Sequence, residues 1–112
     1  MEGYGDPFCR RPYPWGNEDA DLIEWYRALG EMRKTASLHN DGFAALKTEE
    51  DVVAFTRVRE GRPALLCAVN RSDMEKEIEV PFPTTDFSRF FGTFEATKSG
   101  VKLPPFGCLI LF

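Results

Sequence analysis

The chain has one histidine, His39, and three cysteines, Cys9, Cys67 and Cys108, in 112 residues. A Ser-His-Asp or Cys-His site would have to be built on that single imidazole. It stands beside Asn40 and Asp41 in a turn-forming run, with no candidate nucleophile near it in sequence. One His and three scattered Cys match no zinc-ligand spacing, so neither a metal nor another cofactor is expected. An odd cysteine count without a Cys-x-x-Cys pair argues against a disulfide framework and for a reduced, cytoplasmic setting. No apolar run approaches the ~20 residues of a membrane span. The N-terminus also lacks the basic-then-apolar layout of a signal peptide. Lys/Arg runs stop at pairs (Arg10-Arg11, Arg33-Lys34) and the formal net charge is -4. That balance excludes an electrostatic case for nucleic acid or an anionic membrane as partner. Gly3-Tyr4-Gly5 is no phosphate loop, because it follows no strand and lacks Gly-Lys-Ser/Thr.

What is present describes one globular domain's worth of chain. The hydrophobic share of 43% against 29% charged residues argues against disorder. Ten Phe in so short a chain lead us to expect an aromatic-rich core. Residues 1–17 hold three Gly and three Pro, which excludes a helix interior or a central strand. Yet Tyr4, Phe8, Tyr13 and Trp15 lie there, and such residues normally pack on something. Residues 18–36 read as a helix, capped by Asn17 or Asp19, with Glu18, Asp19 and Asp21 at its positive end. Leu22, Trp25, Tyr26, Leu29 and Met32 fall on one stripe roughly 120° wide. Gly30, costly inside a helix, is expected to mark a close packing contact.

From Phe43 onward the pattern is β. Strands are expected at 43–47, 52–59, 64–69 and 75–82, two short ones within 86–98, and a closing one at 107–112, with a tight turn at Glu60-Gly61. Ala64 to Val69 and the closing strand are apolar on both alternating faces, as strands buried inside a packed sheet would be. In the fourth strand Ile78, Val80 and Phe82 alternate with Glu77, Glu79 and Pro81, giving one packed and one wet face. Six or seven short strands with frequent turns predict an antiparallel β-sandwich preceded by one α-helix, a mainly β fold.

Three acid clusters are the places to look for glycosidase-like paired carboxylates. Glu18/Asp19/Asp21 open the helix, Glu49/Glu50/Asp51 tip a turn, and Glu75/Glu77/Glu79 line the wet side of a strand; solvated roles suit all three. Arg10-Arg11 with Tyr13 and Trp15 can be read two ways. Aromatic faces beside an arginine fork could meet a sugar ring and its hydroxyls. Alternatively, the rings anchor the loop and the arginines pair with acids nearby.

The run Met1-Glu-Gly-Tyr-Gly-Asp-Pro-Phe-Cys-Arg-Arg-Pro-Tyr-Pro-Trp15 resembles a segment of the α-amylase family of glycoside hydrolases. It is most similar to the neopullulanase and cyclomaltodextrinase branch, where a G-M-x-G-x-x-D-P-x-x-R-x-P-x-x-W stretch follows the catalytic region of the (β/α)8 barrel. Asp21 to Lys34 resembles the last barrel helix, and Leu38 onward the family's C-terminal Greek-key sandwich, domain C. Val69-Asn70-Arg71-Ser72 and Leu103-Pro104-Pro105 with Gly107 fit that domain's spacing.

This resemblance implies a division into 1–36, the end of the barrel, and 37–112, the sandwich, with Met1 internal to a longer protein. It implies a parent that hydrolyses α-glucosidic bonds in maltodextrins by a retaining mechanism. No motif carrying the family's three catalytic acids is present, so no catalytic residue is assigned and the chain alone is not expected to be an enzyme. Arg11 and Trp15 are implied as substrate-side contacts in the parent, and the catalytic barrel as the sandwich's partner. In the chain by itself the stripe Leu22, Trp25, Tyr26 and Leu29 must dock on the sheet or bury in a homodimer. A carbohydrate-binding module and a free-standing interaction protein are the rival readings.

Overall fold

The computed structural model describes residues 5–7, 10, 12–35, 41–46 and 48–112. The chain forms two compact units, Met1–Glu31 and Met32–Phe112. Its one α-helix among the described residues, α1, runs Ala20–Thr35. Of the two expected caps Asp19 is used: its Oδ1 accepts the backbone N–H of Leu22 at 2.9 Å, satisfying a donor that the first turn cannot. Along the apolar stripe Tyr26 is 71% exposed, Leu22 51% and Trp25 42%, while Leu29 is half-buried. Gly30 departs from expectation, because a Cβ built there meets no atom within 4 Å. It marks open space, and its cost in the helix is uncompensated by packing.

Among the described residues eight antiparallel strands follow: β1 Gly42–Ala45, β2 Val52–Arg59, β3 Arg62–Asn70, β4 Lys76–Glu79, β5 Phe90–Gly92, β6 Glu95–Ala96, β7 Gly100–Leu103 and β8 Cys108–Leu111. They make a five-stranded sheet, β1-β2-β3-β8-β5, and a three-stranded sheet, β4-β7-β6. The chain changes sheet after β3, β4, β5 and β7, and β8 returns to pair with β3, a Greek-key path. The predicted helix-then-sandwich architecture is the observed one.

The β2–β3 hairpin turns on Glu60 (φ 49) and Gly61 (φ 77), two left-handed residues between the paired Arg59 and Arg62. That is the turn whose twist matches the strands it joins. β3 starts before the expected Ala64. Pro63 lacks a ladder N–H, but it sits opposite Val58, where a register shift already interrupts β2. β7 is a strand outside the expected set. The structure makes Gly100 a requirement of the strand, since a Cβ there would lie 1.9 Å from the Ile78 carbonyl oxygen. β4 is shorter than expected, stopping at Glu79 where Pro81 and Pro83 end the ladder, but Ile78 and Val80 are buried and Glu77 and Glu79 exposed as the alternation requires.

The core between the sheets is aliphatic, which corrects the aromatic expectation. Val52, Ala54, Leu66, Ala68, Leu109 and Leu111 from one sheet close on Ile78, Val80, Val101 and Leu103 from the other. Phe82, Phe87 and Phe94 are only partly buried at its margin, and Phe43, Phe90 and Phe106 are exposed. Ala54 and Ala68, directly paired, are among the small side chains that fill the core.

Among the described residues two polar ones are buried here: Thr56, whose Oγ1 donates to the Leu65 carbonyl at 2.7 Å, and Asn70. Asn70 is 1% exposed and uses both ends of its amide. Nδ2 donates to the carbonyls of Met74 (2.7 Å) and Pro104 (2.9 Å), and Oδ1 accepts from Ser72 N–H (3.0 Å) and Ser72 Oγ (2.9 Å). Its backbone N–H reaches Gly107 O at 2.8 Å. The segments 69–72 and 103–107 singled out in the sequence are thus joined through this one side chain.

Two stability changes follow. Gly30→Ala should raise the helix's stability by about 1 kcal/mol, seen as increased helical circular dichroism and a higher urea midpoint. Asn70→Leu takes the acceptor from the Ser72 N–H and one of two donors from each of the Met74 and Pro104 carbonyls, and should cost about 3 kcal/mol, read from the same urea titration.

Candidate functional site

The N-terminal loop places its aromatics outward. Tyr13 and Trp15 flank Pro14, and the Trp15 N–H donates to Tyr13 O at 2.9 Å, pinching the backbone between them. Their rings meet edge-on with centroids 4.7 Å apart, and Trp15 is 83% exposed. Arg10 pairs with Asp6, Nη2 to Oδ2 at 2.9 Å, so the described arginine of the Arg10-Arg11 pair engages an acid of its own loop. Arg11 lies outside the described residues, as do His39 and Cys9. Backbone N–H groups of Gly16 and Glu18 itself hold the Glu18 carboxyl below its ordinary value, as at a helix start.

The acid clusters face water. Glu49 on the β1–β2 turn meets Lys76 at 3.0 Å, and Glu75 meets Lys102 at 3.2 Å. Glu77, Lys102 and Glu95 are register partners across β4, β7 and β6, an alternating charge row on the outer face of the three-stranded sheet. A shallow hollow of about 330 Å³ opens between Val80–Thr84 and Thr97–Gly100, with Lys98 on its wall and no carboxylate lining it. Among the described residues no three His, Cys, Asp or Glu side chains gather as a metal site would need. No helix among them is long and apolar enough to cross a membrane.

The five-stranded sheet is different. On its outer face Ala45, Phe55, Cys67, Ile110 and Phe91 are successive register partners across all five strands. A parallel row is Val53, Val69 and Cys108, and a third is Phe43, Arg57 and Leu65. Phe43 is 64% exposed and Val53 56%. Rings stack along the face, Phe43 on Phe55 (5.2 Å) and Phe91 on Phe112 (5.5 Å). Sequence periodicity showed β3 and β8 apolar on both sides but assigned both sides to a packed interior. The structure gives the core only one of them. Cys67 is half-buried and Cys108 exposed on this face. Desolvation, and secondarily the neighbouring Cys108, pushes the Cys67 thiol up from its usual range.

At the β1 end of this face Asp41 ties the sheet edge. Arg59 clasps its carboxylate with Nε at 2.9 Å and Nη2 at 3.0 Å, which holds the guanidinium's pKa up. Arg57 Nη2 donates to the Asp41 carbonyl at 2.6 Å.

No protein-family model matches the chain. Two curated relatives do: an amylopullulanase of Thermoanaerobacterium thermosulfurigenes, 31% identical over 85% of this chain, and one of Thermoanaerobacterium saccharolyticum, 29% identical over 91%. The match bears out the resemblance to an α-amylase family glycosidase. It does so across sandwich and helix alike, whereas the neopullulanase branch is not the one these relatives carry in their names. The chain spans 6% and 9% of the two relatives' lengths.

The thiols offer a direct check on this geometry. Because thiolate is the reactive form, iodoacetamide at pH 8 should modify Cys108 well before Cys67, with the gap narrowing as pH rises; peptide mapping resolves the two.

Proposed function

We propose that this chain is a non-catalytic part of a glycosidase that acts on α-glucans: the end of a catalytic barrel, followed by a sandwich that stabilises it. The observation that carries the reading is the 31% identity to an amylopullulanase over most of the chain, combined with acids engaged elsewhere. Glu49 and Glu75 are surface ion pairs with Lys76 and Lys102. A retaining glycosidase needs two carboxyls about 5 Å apart flanking one bond, and in this reading that pair belongs to sequence outside the chain.

Trp15, with Arg11, is proposed as a sugar-side contact of the whole enzyme. An exposed indole braced by Tyr13 offers a face for a pyranose ring to stack on. The half-exposed stripe of α1 is proposed to pack on the barrel, or on a second copy when the chain stands by itself. Cys67 and Cys108 as free thiols suit a cytoplasmic setting.

The purified chain should show no turnover of p-nitrophenyl maltoside or pullulan, while the full open reading frame that contains it hydrolyses both. Hydrolysis by the 112 residues alone would overturn the reading. In the full enzyme Trp15→Ala should raise KM for maltodextrins several-fold with little change in stability.

A further inference from the structure

We infer that Cys67 and Cys108 form a reversible cross-strand redox pair: thiols in a reducing setting, a disulfide joining β3 to β8 when a small disulfide is in excess. The inference is independent of what the rest of the polypeptide hydrolyses.

The placement comes from main-chain register. The Asn70 N–H donates to the Gly107 carbonyl at 2.8 Å, so these two residues face each other as a hydrogen-bonded pair. Counting back along the antiparallel ladder, Ala68 with Leu109 is the next such pair. Val69 with Cys108, and Cys67 with Ile110, are therefore the narrow, non-hydrogen-bonded pairs on either side of it, where side chains lie closest. Leu66, Ala68, Leu109 and Leu111 fill the core, so Cys67 and Cys108 share the opposite face as diagonal neighbours. In a flat sheet such a diagonal spans ~7–8 Å between Cα atoms, just past the ~6.8 Å that a disulfide ordinarily bridges. The right-handed twist of neighbouring strands shortens this diagonal, the one from a residue to the position two before its partner. Desolvation first, and then Cys108, hold the Cys67 thiol up, and the second of these causes records the adjacency.

Exposure divides the labour. Cys108 is exposed and Cys67 half-buried, so Cys108 meets the oxidant and Cys67 resolves the product. The Cys108 thiolate attacks one sulfur of the small disulfide, whose S–S bond breaks as a mixed disulfide forms and one small thiol leaves. The Cys67 thiolate then attacks Cys108 Sγ, the mixed disulfide breaks, and the second small thiol leaves. Two protein thiols are oxidised, one small disulfide is reduced to two thiols, and the two protons end on those. A bond at the wide end of disulfide geometry, with one sulfur exposed, is readily reduced again.

The test uses the Cys9→Ser chain, because Cys9 lies outside the described residues. It is equilibrated with glutathione disulfide, then with dithiothreitol, and followed by peptide mapping, sedimentation and urea titration. We expect loss of both thiols in a monomer, no retained glutathione, a urea midpoint above that of the reduced chain, and full return of both thiols with dithiothreitol. Adding Cys67→Ser should leave glutathione held on Cys108. Glutathione retained on Cys108 beside a free Cys67 would overturn the inference, as would two unreacted thiols or a disulfide-linked dimer. So would a bridge that lowers the midpoint, since the native strands would then not hold the two sulfurs within reach.

Discussion

Asn70 joins the turn that follows β3 to the turn that precedes β8. β3 ends on it, the 72–74 turn folds back on its Oδ1 and Nδ2, and the Pro104–Gly107 turn that launches β8 is held by its Nδ2 and backbone N–H. A buried amide with all its partners is tolerable because none of its groups has lost water without replacement. The same completeness fixes geometry. β8 can only lie beside β3 in the observed register if Gly107 meets Asn70, and that register sets which side chains of β8 enter the core.

That register is what makes the two outer faces differ. Leu109 and Leu111 turn inward, so Cys108 and Ile110 turn outward beside Val69 and Cys67. Slippage by one residue would exchange the sets, and since both are apolar the side chains alone discriminate little between the two registers. The polar hub supplies the discrimination. In the other sheet the alternation of β4 is unambiguous, with Ile78 in and Glu77 and Glu79 out, and the pairing with β7 follows the charges.

Much of this was legible beforehand. The helix, its cap at Asn17 or Asp19, the Glu60-Gly61 turn, the sandwich class and the relation to α-amylase family glycosidases were all readable from local spacing and motif. Two misreadings have a common origin. The core is expected to be aromatic and no strand is expected at 100–103, because composition and local pattern do not say which strands pair. Paired Ala54 and Ala68 and the 1.9 Å clearance above Ile78 O are facts about backbones distant in sequence. The candidate sugar contact was legible only as a pair, and the structure describes one of its members, Trp15, leaving Arg11 outside the described residues.

The sequence by itself determined the helix, the hairpin turn and most of the strands, because period-two alternation, capping and two-residue turns are properties of a few adjacent residues. Only the tertiary structure decided which apolar face of β3 and β8 is core and which is left outside. That choice is made by pairing partners 40 residues or so away, through main-chain register and one buried amide, and no local pattern encodes it.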